Sequence, residues 1–200
     1  MDHIYDHPSF GQNWFSYPNL YASMVEKFPS GSKFVEVGSW KGRSSAYMAV
    51  EICNSNKNIE FYCVDHWKGN EECYDPNHHA YEPEIDKVFS IFTENMKPVD
   101  DYYVPIKMSS QKAPALFPDK SLDFVFIDAA HDFENVILDI FAWAPKIKDN
   151  GILAGHDIQY DPVKDAVNKA IGESNYFVLE SEMCWVVNNV REISVLSLLN

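Results

Sequence analysis

Three short polar clusters hold the side chains of this sequence that could do chemistry. The first is Glu36-Val37-Gly38-Ser39-Trp40-Lys41-Gly42-Arg43-Ser44. Gly38 can let backbone approach a ligand, Gly42 can allow close helix packing, and Ser44 stands near a helix N-terminus whose amides favour an anion. The second is Asp65, which ends an apolar run and can accept hydrogen bonds from both hydroxyls of a ribose. The third is Asp128, at the end of Leu122-Asp123-Phe124-Val125-Phe126-Ile127. A carboxylate there costs free energy unless something pairs with it. In this order, with 29 residues from Glu36 to Asp65, the clusters point to a nucleoside ligand lying across a sheet.

The elements that must carry these clusters are strands alternating with helices. Apolar runs predict strands at 33–38, 59–65, 102–108, 122–128 and 151–155. Helical spacing predicts helices near 21–28, 44–53, 85–96, 136–144 and 162–171. The last two strands, 176–179 and 184–187, are too close together for a crossover and must form an antiparallel hairpin. The fold class expected is α/β: a Rossmann-like, mainly parallel seven-stranded sheet with helices on both faces and a C-terminal antiparallel hairpin. Residues 1–200 read as a single domain, opened by an N-terminal arm and helix over 1–30. Residues 68–83, with Gly69, Pro76 and Pro83, read as a lid loop.

Thirty acidic against sixteen basic side chains leave a net charge of −14, a field that repels phosphate backbones and argues against a nucleic-acid partner. No apolar run is long enough to span a membrane, so no membrane partner is expected. Cys53, Cys63, Cys73 and Cys184 form no CxxC pair and read as free thiols, which with the polar N-terminus suggests a cytoplasmic location. A homo-oligomer stays open.

The spacing of the glycines narrows the nucleoside. A dinucleotide fold would show G-x-G-x-x-G. Here Glu36 precedes Gly38, and the next glycine, Gly42, comes four residues later. That Glu-x-Gly-x-x-x-Gly-x-Ser pattern resembles motif I of the class I S-adenosylmethionine-dependent methyltransferases. The resemblance runs from about Trp14 to Val187 and takes in Tyr62-Cys63-Val64-Asp65-His66-Trp67, Phe126-Ile127-Asp128-Ala129-Ala130-His131 and Gly151-Ile152-Leu153-Ala154-Gly155-His156-Asp157. The group resembled includes small-molecule and sugar O-methyltransferases.

The resemblance implies that Gly38 and Asp128 meet the methionine amine of S-adenosylmethionine, Ser44 its carboxylate, and Asp65 its ribose, with Glu36 supporting the loop. His66 would flank the adenine, and Ser110 and Gln111 would read its edge. The acceptor would be a small molecule, methylated at a hydroxyl. Candidates for removing its proton are His131, His156 and Asp157. Cation-dependent relatives carry Asp-Asn after strand five where this chain has His156-Asp157, and related sugar enzymes have an acid at the position of Ala130. Asp128 and Asp157 could still hold a divalent cation such as magnesium. Two other readings stand beside this one: a nicotinamide-dependent oxidoreductase, and a nucleoside-binding module without catalysis.

Overall fold

The computed structural model describes residues 1–187. Helix α1 (Pro18–Lys27) precedes β1 (Lys33–Val37), α2 (Arg43–Ser55), β2 (Glu60–Asp65), α3 (Val88–Met96) and β3 (Val104–Lys107). Then come β4 (Leu122–Ile127), α4 (Phe133–Trp143), β5 (Ile147–Gly155), α5 (Asp161–Ile171), β6 (Tyr176–Leu179) and β7 (Cys184–Val187). They form one seven-stranded sheet in the order β3-β2-β1-β4-β5-β7-β6. The β1–β2, β1–β4, β2–β3 and β4–β5 pairs are parallel, while β7 pairs antiparallel with both β5 and β6.

Alternation along the central strands builds two cores. Phe124 and Phe126 of β4 point to one face with Phe34, Phe61 and Cys63, where α1, α2 and α3 cover them. Val125 and Ile127 point to the other with Val35, Val37 and Val64, under α4 and α5. Both faces are buried, which is why these strands are apolar throughout.

Two boundaries differ from the sequence reading. Strand β5 begins at Ile147, not Gly151, because Ile147 already pairs with Leu122 before the register shifts and resumes at Phe124–Ile152. The hairpin turn is a short 3-10 stretch, Glu180–Glu182. Its Glu182 carboxylate accepts from the backbone N–H groups of Asn19 (2.8 Å) and Leu20 (3.1 Å). It therefore caps α1, whose own N-cap residue, Tyr17, makes no side-chain cap bond. That cap sets where the N-terminal arm enters the fold. All four cysteines are free.

The chain crosses from one side of β1 to the other between β3 and β4. At such a switch point the carboxyl ends of neighbouring strands leave a crevice. All the polar clusters lie there.

Candidate active site

The turn after β1 is built from backbone. Gly38 has φ +95, and a Cβ there would lie 1.9 Å from the Asp128 carbonyl oxygen. The Gly38 N–H donates to Val64 O (2.8 Å) and the Asp128 N–H to Val37 O (2.8 Å), so the ends of β1, β2 and β4 are laced together. Gly42, φ +90, would bring a Cβ within 3.0 Å of Phe92 and Met96 on α3, so it provides the close helix approach expected of it. Glu36 is buried beneath the turn. It accepts from Tyr21 Oη (2.9 Å) and Ser39 Oγ (2.9 Å), and from Ser45 Oγ. Burial raises its pKa, and the hydroxyls of Ser44, Ser45, Ser39 and Tyr21 pull it partly back. Ser44 sits in the first turn of α2.

Asp65 ends β2 and is held by two tryptophan backbones. Its Oδ2 accepts from Trp40 N (2.8 Å) and its Oδ1 from Trp67 N (2.6 Å), while the Trp67 indole N–H donates to Trp40 O (2.6 Å). Trp40 and Trp67 have φ of +46 and +53. Bulky residues in that region cost about 1–3 kcal/mol each and persist only where surroundings over-determine them. Each Asp65 oxygen has lone-pair capacity beyond its one amide, enough for a ligand hydroxyl. Burial raises its pKa against the lowering by the Trp67 and Trp40 amides. His66 is exposed, and its Nδ1 accepts from Lys68 N (2.9 Å). Gln111 Nε2 donates to Asn135 Oδ1 (2.9 Å), tying the end of β3 to α4. Near Ser110, Asp139 of α4 is buried with neither carboxylate oxygen hydrogen-bonded, and burial pushes its pKa up to about 7.

The ends of β4 and β5 are built from side chains. His131 Nε2 lies 2.9 Å from Asp157 Oδ2, and His156 Nδ1 lies 3.3 Å from Asp157 Oδ1 and 3.7 Å from Asp128 Oδ1. Asp157 itself has φ +63. Tyr17 Oη donates to Asp128 Oδ2 (2.7 Å). Ser16 Oγ donates to Glu182 O (3.0 Å) and meets His156 Nε2 at 2.8 Å. With its one proton spent on Glu182, the Ser16 hydroxyl must accept from His156 Nε2–H. His156 Nδ1 faces two carboxylates, so it too carries a proton, and the ring is an imidazolium. The pKa agrees: burial lowers it, but Asp128 and Asp157 outweigh burial and push it up to about 10. Burial likewise raises the pKa of Asp157, yet His131 and His156 together hold it far below the usual carboxylate range. The His131 pKa is raised, first by its hydrogen bond to Asp157 and against the pull of burial.

Of the residues singled out in the sequence, the structure brings Gly38, Asp65, Asp128, His131, His156 and Asp157 to one rim of the sheet. One donor atom each from Asp128, His131 and Asp157 falls within 4.8 Å of the others, a grouping that adds His131 to the expected Asp128–Asp157 pair. Sequence reading missed Ser16, Tyr17 and Glu182, of which Ser16 reaches His156 across 140 positions and Tyr17 reaches Asp128 across 111, and gave Asp139 no role. Only the burial of a charged residue in the apolar stripe of α4 could have pointed to Asp139.

Residues 35–158, well over half of the chain, match the family described as a methyltransferase domain. No curated protein matches in sequence. Among solved structures, the O-methyltransferase NovP superposes with a TM-score of 0.63 at 14% identity, covering 87% of this chain and 79% of that one. A Corynebacterium glutamicum protein gives 0.61 at 11% identity over 94% and 91%. CalS11, a calicheamicin methyltransferase, gives 0.59 at 12% over 85% and 76%. At such identities the likeness is one of fold. The family match favours neither the oxidoreductase nor the non-catalytic reading, and no helix among the described residues is long and apolar enough to cross a membrane. The chain belongs to the methyltransferase domain family and is an S-adenosylmethionine-dependent methyltransferase.

Proposed function

We propose that the acceptor is a hydroxyl of a small molecule and that the Asp157–His131 pair takes its proton. The observation that carries this is the 2.9 Å contact from His131 Nε2 to Asp157 Oδ2. It fixes the tautomer in which Nε2 bears the proton and Nδ1 offers its lone pair, the logic of a histidine oriented by a carboxylate. A hydroxyl must lose a proton as it is methylated, and Nδ1 on a half-exposed ring is placed to receive it. The likeness to an enzyme named as an O-methyltransferase is consistent with this reading.

S-adenosylmethionine supplies an already activated methyl group, so positioning is the protein's main contribution. The donor set fits this cofactor. Gly38 backbone and Asp128 would hold the amine, Ser44 at the start of α2 the carboxylate, and Asp65 the ribose, with His66, Ser110 and Gln111 around the adenine. Glu36 is spent on Tyr21, Ser39 and Ser45, and so supports the turn. His156, charged and closed in by Ser16, Asp128 and Asp157, orients the two acids.

The Asp128–His131–Asp157 grouping favours a second reading in which these three hold a divalent ion. Two carboxylates and an imidazole suit manganese better than magnesium. Calorimetry should show cofactor and demethylated product binding at about 7–9 kcal/mol, weakened by about 2–4 kcal/mol in Asp65→Ala. Chelation should leave turnover intact, and His131→Ala should lower it by about 10²–10⁴-fold. Loss of turnover on chelation, restored by manganese, would replace the general-base reading with the metal one.

A further inference from the structure

We propose that Trp14 and His79 form the two jaws of the acceptor entrance, and that this entrance admits uncharged or cationic hydroxylated rings and turns away anionic ones. The proposal rests on the acceptor site placed above at His131 and Asp157.

The contacts around that pair close a circuit. On one side is the N-terminal arm. Ser16 is fixed to His156 and Glu182, and further back Arg43 grips the arm through the carbonyls of Tyr5 (2.6 Å) and Gly11 (2.8 Å). Trp14, two residues before Ser16, is 43% exposed, whereas Phe10, Tyr17, Leu20 and Tyr21 on either side are buried. A large ring left half in water on an anchored segment has a face to offer a ligand.

Opposite the arm stands the loop 68–83. Its end is anchored by the buried Lys41–Glu82 ion pair and by Glu82 N–H donating to Cys73 O (2.9 Å). From it His79 meets Trp14 edge-on at 6.5 Å, His78 packs on His79 at 4.3 Å, and Glu72 lies 3.9 Å from His78. Glu72 is also near enough to His131 for its charge to act on the ring. The loop thus meets the arm at Trp14 and carries a carboxylate whose field reaches His131. Tyr160, 46% exposed, completes the circuit at 5.9 Å from His131, and its N–H is bonded to Asp157 O (3.0 Å).

The chemistry of this boundary is aromatic and acidic. Trp14, His79 and Tyr160 present ring faces and edges, and Glu72 presents a carboxylate, Asp157 being taken up by His131 and His156. None of Trp14, His79, Glu72, His131 and Tyr160 is a lysine or arginine, the nearby Lys41 and Arg43 are spent on Glu82 and on backbone carbonyls, and the whole chain carries a net charge of −14. A flat hydroxylated ring gains stacking against Trp14, and a cation gains from both π faces and the Glu72 carboxylate. An anion meets repulsion with no fixed partner.

The shared chemistry could come from a phenol or a pyranose, so the test uses both. Protein loaded with demethylated cofactor is titrated with 4-methylcatechol, 3,4-dihydroxybenzylamine and 3,4-dihydroxybenzoate, then with methyl glucoside, glucosamine and glucuronate. In at least one series the neutral and cationic members should bind about tenfold or more tighter than the anion. Trp14→Ala should erase about tenfold of that binding while cofactor affinity, the check on folding, stays within about twofold. Trp14→Phe should restore most of it. Equal binding of the anion, no effect of Trp14→Ala, or no binding in either series would overturn the proposal while the cofactor site stands. Failure of the wild-type protein to bind cofactor would overturn the site itself, and the entrance with it.

Discussion

The two halves of the rim hold their acids by opposite means. At the end of β2, Asp65 is gripped by backbone amides of two tryptophans in left-handed conformation, next to a turn that tolerates no side chain at Gly38. At the ends of β4 and β5, Asp128 and Asp157 are gripped by side chains: Tyr17, His131 and His156, with Ser16 behind them. A backbone-built half is insensitive to which side chains surround it and suits a constant ligand such as the cofactor. A side-chain-built half can be rebuilt by substitution and, beyond the Asp128 that would meet the cofactor's amine, suits the partner that differs between enzymes. Strain marks the same places. Three of the six non-glycine residues with positive φ among the described residues, Trp40, Trp67 and Asp157, stand at strand ends in this site.

The sharpest way to break the comparison is to put a side chain where the backbone half forbids one. Gly38→Ala places a Cβ 1.9 Å from the Asp128 carbonyl oxygen and 2.5 Å from its carbon, at φ +95. Backbone must move, so we expect a loss of more than about 4 kcal/mol of stability and a melting temperature lower by about 8–16 °C. Cofactor binding should fall below detection, and turnover with it. A variant that melts normally and binds cofactor normally would show that the crossing of β1 and β4 does not shape the site.

How far the site was legible in the sequence follows from the same division. The backbone-built half is contiguous: Glu36 to Ser44 is one turn, and its glycines announce their conformations because no other residue adopts them cheaply. The central strands were legible because both faces are buried and the runs are apolar throughout. The start of β5 was not, since Asp149 and Asn150 interrupt the apolar run at a register shift. The side-chain half was legible only in its acids and histidines. Ser16, Tyr17 and Glu182 are ordinary residues until the cap that Glu182 places on α1 brings them to the rim, and no local pattern encodes a cap from 160 residues away.

Asp139 sharpens the comparison because it has neither kind of support. Asp65 has amides and Asp157 has two histidines, but neither oxygen of Asp139, fully buried in α4, makes a well-formed hydrogen bond among the described residues, and the Ser110 hydroxyl nearby gives only partial relief. Burial is the main cause of its raised pKa, about 7, with Ser110 lowering it and Asp132 raising it. The sign is then fixed. A carboxyl whose folded pKa lies above the unfolded value near 3.9 favours the fold in its protonated form, and stability drains as pH rises from about 4 through 7. Over that interval the loss amounts to about 4 kcal/mol at most. Asp139→Asn, which cannot ionise, should therefore stabilise the protein by about 2–4 kcal/mol at pH 8 and leave it nearly unchanged at pH 4, read from urea unfolding. Equal effects at both pH values would mean that Asp139 is paired after all.

The smallest expected effect probes the side-chain half at its outermost link. Ser16→Ala removes the oxygen that accepts from His156 Nε2–H and leaves a buried, charged N–H without a partner. The cost of such an orphan is about 1–3 kcal/mol, and we expect about 2. The alternative is that Ser16 acts only through its bond to Glu182 O, as a brace for the arm. A double-mutant cycle separates the two. In a His156→Leu background there is no ring N–H to orphan, so Ser16→Ala should cost only the brace, a few tenths of a kcal/mol, and the coupling energy should be about 1.5 kcal/mol. Cofactor affinity should move less than about threefold, because the amides around Asp65 do not depend on Ser16. Turnover should fall more than affinity, because an imidazolium no longer fixed by Ser16 holds Asp157 less firmly toward His131. A coupling near zero would mean that the imidazolium is held by its two acids alone, and that the arm braces the site without taking part in its charge network.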